Sequence, residues 1–410
     1  MEKLYYRIDF SLKSALAIGS GANDTTDKDI VRDGRGVPYI PGTTLAGIYR
    51  ALFDKNKQEY YFGKIDGQNA DTSKVIVYDA TLKSMEFKIG KRDCVSLDEY
   101  KTAISGSKFD FEILEPGVEF VTYVEQDRFD EDADIIQTIA NEWSNGNINI
   151  GGKTQRGLGQ VCVKDIKRVS FDMSSDIDKW LEFDIYDDEK WQNIESVKDV
   201  LNDEKLVDTV CNECVYITLG LKQEGPISIR VYTTDISASD TNPDHKQLAY
   251  IRNETEIPVI PGTSWAGCFL HNMKKLGYKN EDEIFGSTKA KSKIYFSESE
   301  IIGAKAKIVT RNAIDRFTGG CVDNALFTEK MYYGGKTELT ISIECKCTRE
   351  FYEKLAISIV DLHMGFMAVG GETSVGHGLF EVESITINGQ SLAICNDSMY
   401  ESIMEVLENV

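Results

Sequence analysis

The feature that most limits how this chain can fold is a long internal repeat. Val37-Pro38-Tyr39-Ile40-Pro41-Gly42-Thr43-Thr44-Leu45-Ala46-Gly47 is matched by Ile257-Pro258-Val259-Ile260-Pro261-Gly262-Thr263-Ser264-Trp265-Ala266-Gly267, an offset of 261 − 41 = 220. Further pairs follow in order: Phe62-Gly63 with Phe285-Gly286 at 223, Ser73-Lys74 with Ser292-Lys293 at 219, and Arg92 with Arg311 at 219. Gly151-Gly152 followed by Gly157-Leu158-Gly159 recurs 219 residues on as Gly370-Gly371 followed by Gly376-His377-Gly378. Coincidence supplies one such match but not an ordered series, so the chain is two copies of one module. Its 410 residues also exceed what one hydrophobic core usually organises.

Each copy has the same coarse layout. An alternating strand (Leu4 to Ala17; Val215 to Ile229) leads into a polar loop and a short strand that Ile-Pro-Gly ends. A helix follows, for which Thr43 or Thr44 and Thr263 or Ser264 are suitable N-caps, with Leu45, Ile48, Tyr49 and Leu52 at core-facing spacing. Strands at Val75 to Tyr78 and Ile294 to Phe296, a hairpin-like region, a second helix (Ala133 to Trp143; Arg349 to Met364), a glycine-rich turn and a last strand complete the module. That order predicts an α+β, ferredoxin-like (RRM-like) fold with inserted loops, twice over. The expected division is a first module at 1–165, an acidic linker at 166–213 with an amphipathic helix near Ile194 to Val207, a second module at 214–390 and a C-terminal helix at 391–410.

Composition narrows the setting. With 41% hydrophobic and 28% charged residues the chain reads as an ordinary globular protein, and no apolar run is long enough to span a bilayer. The N-terminus opens as an alternating strand instead of a signal peptide, so no membrane partner and a cytoplasmic location are expected. Nine cysteines without dense spacing fit a reducing compartment. Cys211 and Cys214 have metal-ligand spacing but no second pair in sequence, although Cys345 and Cys347 could approach; two ligands make zinc an unlikely expectation. The net charge of −21 argues against a free-standing nucleic-acid binder, because phosphate binding draws on basic surface. RNA binding would require basic residues gathered in a groove, with acidic stretches such as Asp127 to Asp134 and Asp184 to Lys190 turned to solvent or partners.

Several segments together resemble the RAMP superfamily of CRISPR-associated proteins, and within it the backbone subunits of type III effectors in tandem form. These are Ile18-Gly19-Ser20-Gly21, Val31-Arg32-Asp33 ahead of Tyr39 to Gly47, Arg311-Asn312-Ala313-Ile314-Asp315-Arg316-Phe317-Thr318-Gly319-Gly320 leading to Ala325-Leu326-Phe327, and Gly370-Gly371 with Gly376-His377-Gly378. The resemblance implies partners: guide CRISPR RNA, target RNA and other type III effector subunits. It places guide RNA along the first helix and the glycine-rich loop, with a hairpin thumb kinking the duplex.

The residues can be read for that task. Gly151 and Gly152, and Gly370 and Gly371, allow close approach of backbone to phosphate and an anion nest, while Lys153, Arg156 and Arg50 add charge. Read alone, the same glycines are a common helix-to-strand turn, and Arg50 is a solvated arginine. In the second copy's thumb, Arg311 and Arg316 are candidates for phosphate and Phe317 for a wedge between bases. The first copy lacks the Thr-Gly-Gly element unless Ser105-Gly106 replaces it, and the second carries Glu372 for Lys153 and Leu270 for Arg50.

The resemblance further implies that an aspartate in the loop after the first strand cuts target RNA. Counting back from Val31-Arg32-Asp33 gives Asp27, with Asp24 and Asp29 nearby; the counted position in the second copy is Gln247, with Asp244 close. A carboxylate there could take a 2′-hydroxyl proton or help hold Mg2+ or Mn2+. All four histidines, including His245 and His377, lie in the second copy, which disfavours a histidine-based ribonuclease. The alternative function is a structural subunit of the same assembly without cleavage.

Overall fold

The opening segments become strands because every second side chain has a core to enter. A computed structural model describes all residues except 20–25, 67–68, 99–101, 130–131, 199–206, 210–213, 232–242, 253, 288, 345 and 410. In it these strands run Glu2–Leu12 and Val215–Gln223, shorter than expected. Each sits inside an antiparallel sheet. The first sheet is ordered Val75–Val77, Glu119–Arg128, Glu2–Leu12, Val161–Asp172. The second is ordered Ile294–Phe296, Lys336–Ile343, Val215–Gln223, Phe380–Ile387, with Gln390–Leu392 added at the edge. Both place the first strand between the third and the fourth, the ferredoxin-like order predicted from the repeat.

Both helices of each module cover one sheet face. In the first, Leu45 and Tyr49 of helix Gly42–Ala51 join Ile135, Ile136, Ile139 and Trp143 of helix Ile135–Ser144 over Leu4, Tyr6, Ile8 and Phe10. In the second, Trp265, Phe269 and Met273 of helix Gly262–Lys275 meet Phe351, Leu355 and Ile359 of helix Arg349–His363 over Ile217, Leu219 and Leu221. The C-terminal helix Met399–Leu407 buries Met399, Ile403 and Leu407 in that same core. The predicted threonine and serine caps are replaced. The first helices begin directly after Pro41 and Pro261, without a side-chain cap, and the Gly42 N–H donates instead to Asp79 Oδ1 at 2.6 Å.

The chain falls into two compact units, Met1–Arg92 with Asp110–Thr154 and Leu158–Cys211, and Asp93–Phe109 with Gln155–Gly157 and Asn212–Val410. The first sheet's last strand runs on to Asp172, past the expected boundary at 165. The acidic linker is part of the first unit rather than a tether. Trp180, Phe183, Ile185 and Trp191 pack with Tyr5, Tyr123 and Phe171 into a second core on the sheet face away from the helices. The helix expected from Ile194 is not formed over residues 194–198, and its remainder lies outside the described residues. Two short helices, Ile177–Leu181 and Asp188–Gln192, supply the covering aromatics instead.

Candidate nucleic-acid interface

The loop after the first strand is laced to the strand Phe109–Leu114. The Asp27 N–H donates to Asp110 Oδ1, and the Asp110 N–H donates back to Asp27 Oδ2, both at 3.0 Å. Below this bracket the Glu112 N–H donates to the Lys28 carbonyl at 3.0 Å, while the Ile30 N–H and the Arg32 guanidinium donate to Glu112 Oε2. The bracket aims an exposed Asp27 carboxylate from a fixed backbone. Asp29 is different: it is buried and accepts from Thr26 Oγ1 at 2.5 Å. Asp24 lies outside the described residues.

The second module builds the same bracket around Asp244, not Gln247. The Asp244 N–H donates to Thr328 Oγ1 at 3.1 Å, and Asp244 Oδ2 accepts from the Thr328 N–H at 2.7 Å and its hydroxyl at 3.0 Å. The offsets, 244 − 27 = 217 and 328 − 110 = 218, lie within two residues of the 219 that separates the glycine loops. His245–Gln247 then runs parallel to the strand holding Thr328. Those Thr328 bonds hold the exposed Asp244 carboxyl below the usual carboxylate range. Gln247 is instead a buried residue whose amide is bonded to Ile229 N, Leu248 O and Val259 O. Counting at a fixed offset could not see a three-residue difference in loop length.

The glycine loops repeat in detail. Gly151, Gly157 and Gly159 have φ of 85°, 86° and 77°, and Gly370, Gly376 and Gly378 have 91°, 88° and 75°. Lys153 and Glu372 share a left-handed backbone at 57° and 55°. Of the N–H groups expected to form an anion nest, the second of each pair is spent within its module: Gly152 on the Ala17 carbonyl and Gly371 on Ser228, both at 2.7 Å. What the glycines admit at close range there is another stretch of backbone.

Around the second glycine loop the charges are engaged with each other. The Glu372 carboxylate takes both Arg230 and Arg311, and Arg311 also lies 3.1 Å from His377 Nε2. Buried Glu329 accepts from Ser228 Oγ and lies 3.3 Å from Arg230. Arg311 therefore serves this ionic cluster instead of projecting from the hairpin. In the first module Leu158 and Phe111 stand at the His377 and Glu329 positions, and the Lys153 ammonium lies 5.1 Å from the Phe111 ring. Arg50 is half-buried in the last turn of the first helix, with no ion pair among the described residues.

Burial holds the His377 imidazole below its ordinary value, with Arg311 adding to the shift and Glu372 opposing it. A depressed histidine contributes stability above its unfolded value of 6.5 that is lost as pH falls through the folded one. The melting temperature should therefore drop from about pH 7 to about pH 5 more steeply in the wild type than in His377→Gln. Thermal denaturation across that range checks it.

The hairpin expected as a thumb is present in the second module as Lys305–Ile314 and Cys321–Tyr333. Asp315 Oδ1 accepts from the Phe317 and Thr318 N–H groups and the Thr318 hydroxyl, and Gly319 turns at φ 66°. The Thr-Gly-Gly element thus builds a tip that leaves Phe317 94% exposed, with Arg316 exposed beside it. Lys305, Lys307, Arg311, Arg316 and Lys330 outnumber Asp315, Asp323 and Glu329 on this hairpin, so it is cationic in a chain of net −21. In the first module Ser105-Gly106 also sits at a turn, with Gly106 at φ 75°.

Among the described residues no group of three or more His, Cys, Asp or Glu is placed to hold a metal ion. Of the cysteines considered for zinc, Cys211 and Cys345 lie outside the described residues. No described helix is long and apolar enough to cross a membrane.

Residues 9–162 and 215–381 both match the RAMP superfamily. The chain belongs to the RAMP superfamily. The two matched stretches contain both aspartate brackets and the helices that cover each sheet, and stop near the start of each sheet's last strand. No curated protein matches this RAMP chain. A solved structure titled "Cryo-EM structure of the Type III-B Cmr-beta bound to cognate target RNA" contains a similar chain, 16% identical over 43% of this chain and 61% of that one, with a TM-score of 0.32. The present chain thus spans less than two thirds of that neighbour. Sequence reasoning did not find Asp110 and Thr328, the residues that hold the two RAMP loops; the only signal was an offset of 218, close to that of the repeat and hidden by unlike side chains.

Proposed function

We propose that this RAMP protein is a tandem backbone subunit of a type III CRISPR effector, which holds guide RNA and cuts complementary target RNA at Asp27 and Asp244. The observation that carries the reading is the duplicated bracket, which presents one exposed, backbone-fixed carboxylate per module. In the proposed step the carboxylate accepts the proton of a target 2′-hydroxyl as that oxygen attacks the adjacent phosphorus. The bond from phosphorus to the 5′-oxygen breaks, water protonates the leaving oxygen, and the products are a 2′,3′-cyclic phosphate and a 5′-hydroxyl. The described residues do not form a cluster that fits a resident Mg2+ or Mn2+, so no step is assigned to one. Such an ion enters this proposal only as one held chiefly by RNA phosphates. Target cleavage by the assembled complex carrying Asp27→Ala or Asp244→Ala tests the reading, and unchanged cutting in both would leave the structural-subunit alternative.

Phe317 would act as the wedge that distorts the duplex. Because its side chain is almost wholly exposed, Phe317→Ala should change folding stability by less than about 0.5 kcal/mol. It should weaken RNA binding by about 1–3 kcal/mol through lost stacking. Urea denaturation and gel-shift titration of the complex separate the two effects.

A further inference from the structure

Although Gln155–Gly157 follow the first glycine pair in sequence, they belong to the second compact unit. There the Arg156 guanidinium fills a cup of acceptors, donating to Ser292 Oγ and the Ile294 carbonyl at 3.1 Å and to the Phe285 carbonyl at 2.9 Å. Ser292 Oγ is set by the carbonyls of Ile284 and Ile294, at 3.3 and 2.8 Å. Phe285 ends a short helix, where backbone carbonyls lack helical partners and favour a cation. The fit is close: a Cβ on Gly157 would lie 2.2 Å from Glu298 N, and one on Gly262 would lie 2.4 Å from the Arg156 carbonyl.

The first module contains the same cup. Ser73 Oγ is set by the carbonyls of Tyr61 and Val75, at 3.1 and 2.6 Å. The Lys74 N–H donates to Tyr61 at 2.9 Å, as Lys293 does to Ile284 at 2.8 Å. Gly63, at φ 78°, ends the helix Lys55–Phe62 as Gly286, at 83°, ends Glu281–Phe285. Phe62 O, Ser73 Oγ and Val75 O are therefore the counterparts of the three acceptors on Arg156, yet among the described residues no guanidinium enters them. The adjoining edge is open: Ile76 is 46% exposed where its counterpart Tyr295 is 7% exposed.

The second module cannot supply the missing group. Val375 stands at the Arg156 position and is 65% exposed, and a Cβ on Gly376, the counterpart of Gly157, would meet nothing within 4 Å. A valine buried in such a cup would leave its acceptors unsatisfied, whereas a planar guanidinium has enough donors for all of them. We propose that the cup formed by Phe62, Ser73 and Val75 is the docking site for an arginine beside a glycine on a different polypeptide, not on a second copy of this chain. The inference rests on the duplication and stands apart from the cleavage reading.

The test uses the assembled native complex containing the full chain with a photo-crosslinking phenylalanine at position 76. The crosslink should map to another polypeptide, on a peptide with an arginine next to a glycine. Ser73→Arg, which fills the cup from within, should lower that yield about tenfold, the worth of a charged hydrogen bond. Ser73→Ala, which adds no bulk, should lower it in the same direction, and melting curves exclude misfolding. A crosslink to a second copy of this chain, a yield unchanged by both variants, or no protein crosslink from an intact complex would overturn the proposal.

Discussion

Asp27→Ala should abolish the target-RNA cut made at the first module while the complex still assembles and the cut at the second module persists. The size of the effect follows from what is removed: a positioned general base is worth about 10²–10⁴-fold in rate. Assembly should survive because Asp27 is exposed, and its loop remains tied by Lys28, Ile30 and Arg32 to the neighbouring strand. Asp244→Ala should give the mirror result. Because the Thr328 N–H and hydroxyl fix the position of the exposed Asp244 carboxylate, Thr328→Val should also slow that cut by loosening the bracket. Gel mapping of end-labelled target separates the two cuts. If Asp27→Ala and Asp244→Ala both leave all cuts at wild-type rates, the module is a scaffold and the brackets only close loops.

Two glycines in one loop should differ sharply when replaced by alanine. Gly376 sits at φ 88° with nothing near its Cβ position, so Gly376→Ala should cost only the backbone strain of the left-handed region, about 1–2 kcal/mol. Gly378 sits at φ 75°, and an added Cβ would lie 1.9 Å from the Val369 carbonyl oxygen. That overlap is with backbone, which cannot swing aside. Gly378→Ala should therefore cost more than about 4 kcal/mol, in the range reserved for gross steric conflict. A Cβ added to Gly159 in the first module would lie 1.8 Å from the Ile150 carbonyl oxygen, so Gly159→Ala should behave like Gly378→Ala. Urea midpoints of the full chain decide the matter, and equal losses for Gly376→Ala and Gly378→Ala would contradict the close-approach account.

Much of the fold was legible because faces are written locally. Alternation marked the opening strands, helical spacing marked Leu45 and Tyr49, and the Thr-Gly-Gly element marked a tip that does expose Phe317. Other features were closed to sequence reading because their partners are distant. Gly42 is capped by Asp79, thirty-seven residues away (79 − 42 = 37), so the threonines beside it misled. The aromatics near Trp180 and Trp191 look like part of an acidic tether until the sheet face they cover is seen.

By itself the sequence determined that there are two modules and the order of the main strands and helices in each. These follow from periodicity and an ordered repeat, which are properties of neighbouring residues. Only the tertiary structure decided which charged groups face outward. Asp27, Asp244 and Arg316 are presented at the surface, whereas Arg311 is taken by Glu372 and Arg156 by three carbonyl and hydroxyl acceptors. A buried or half-buried charge must find opposite charge or hydrogen-bond partners, and those partners come from wherever the fold brings the chain together.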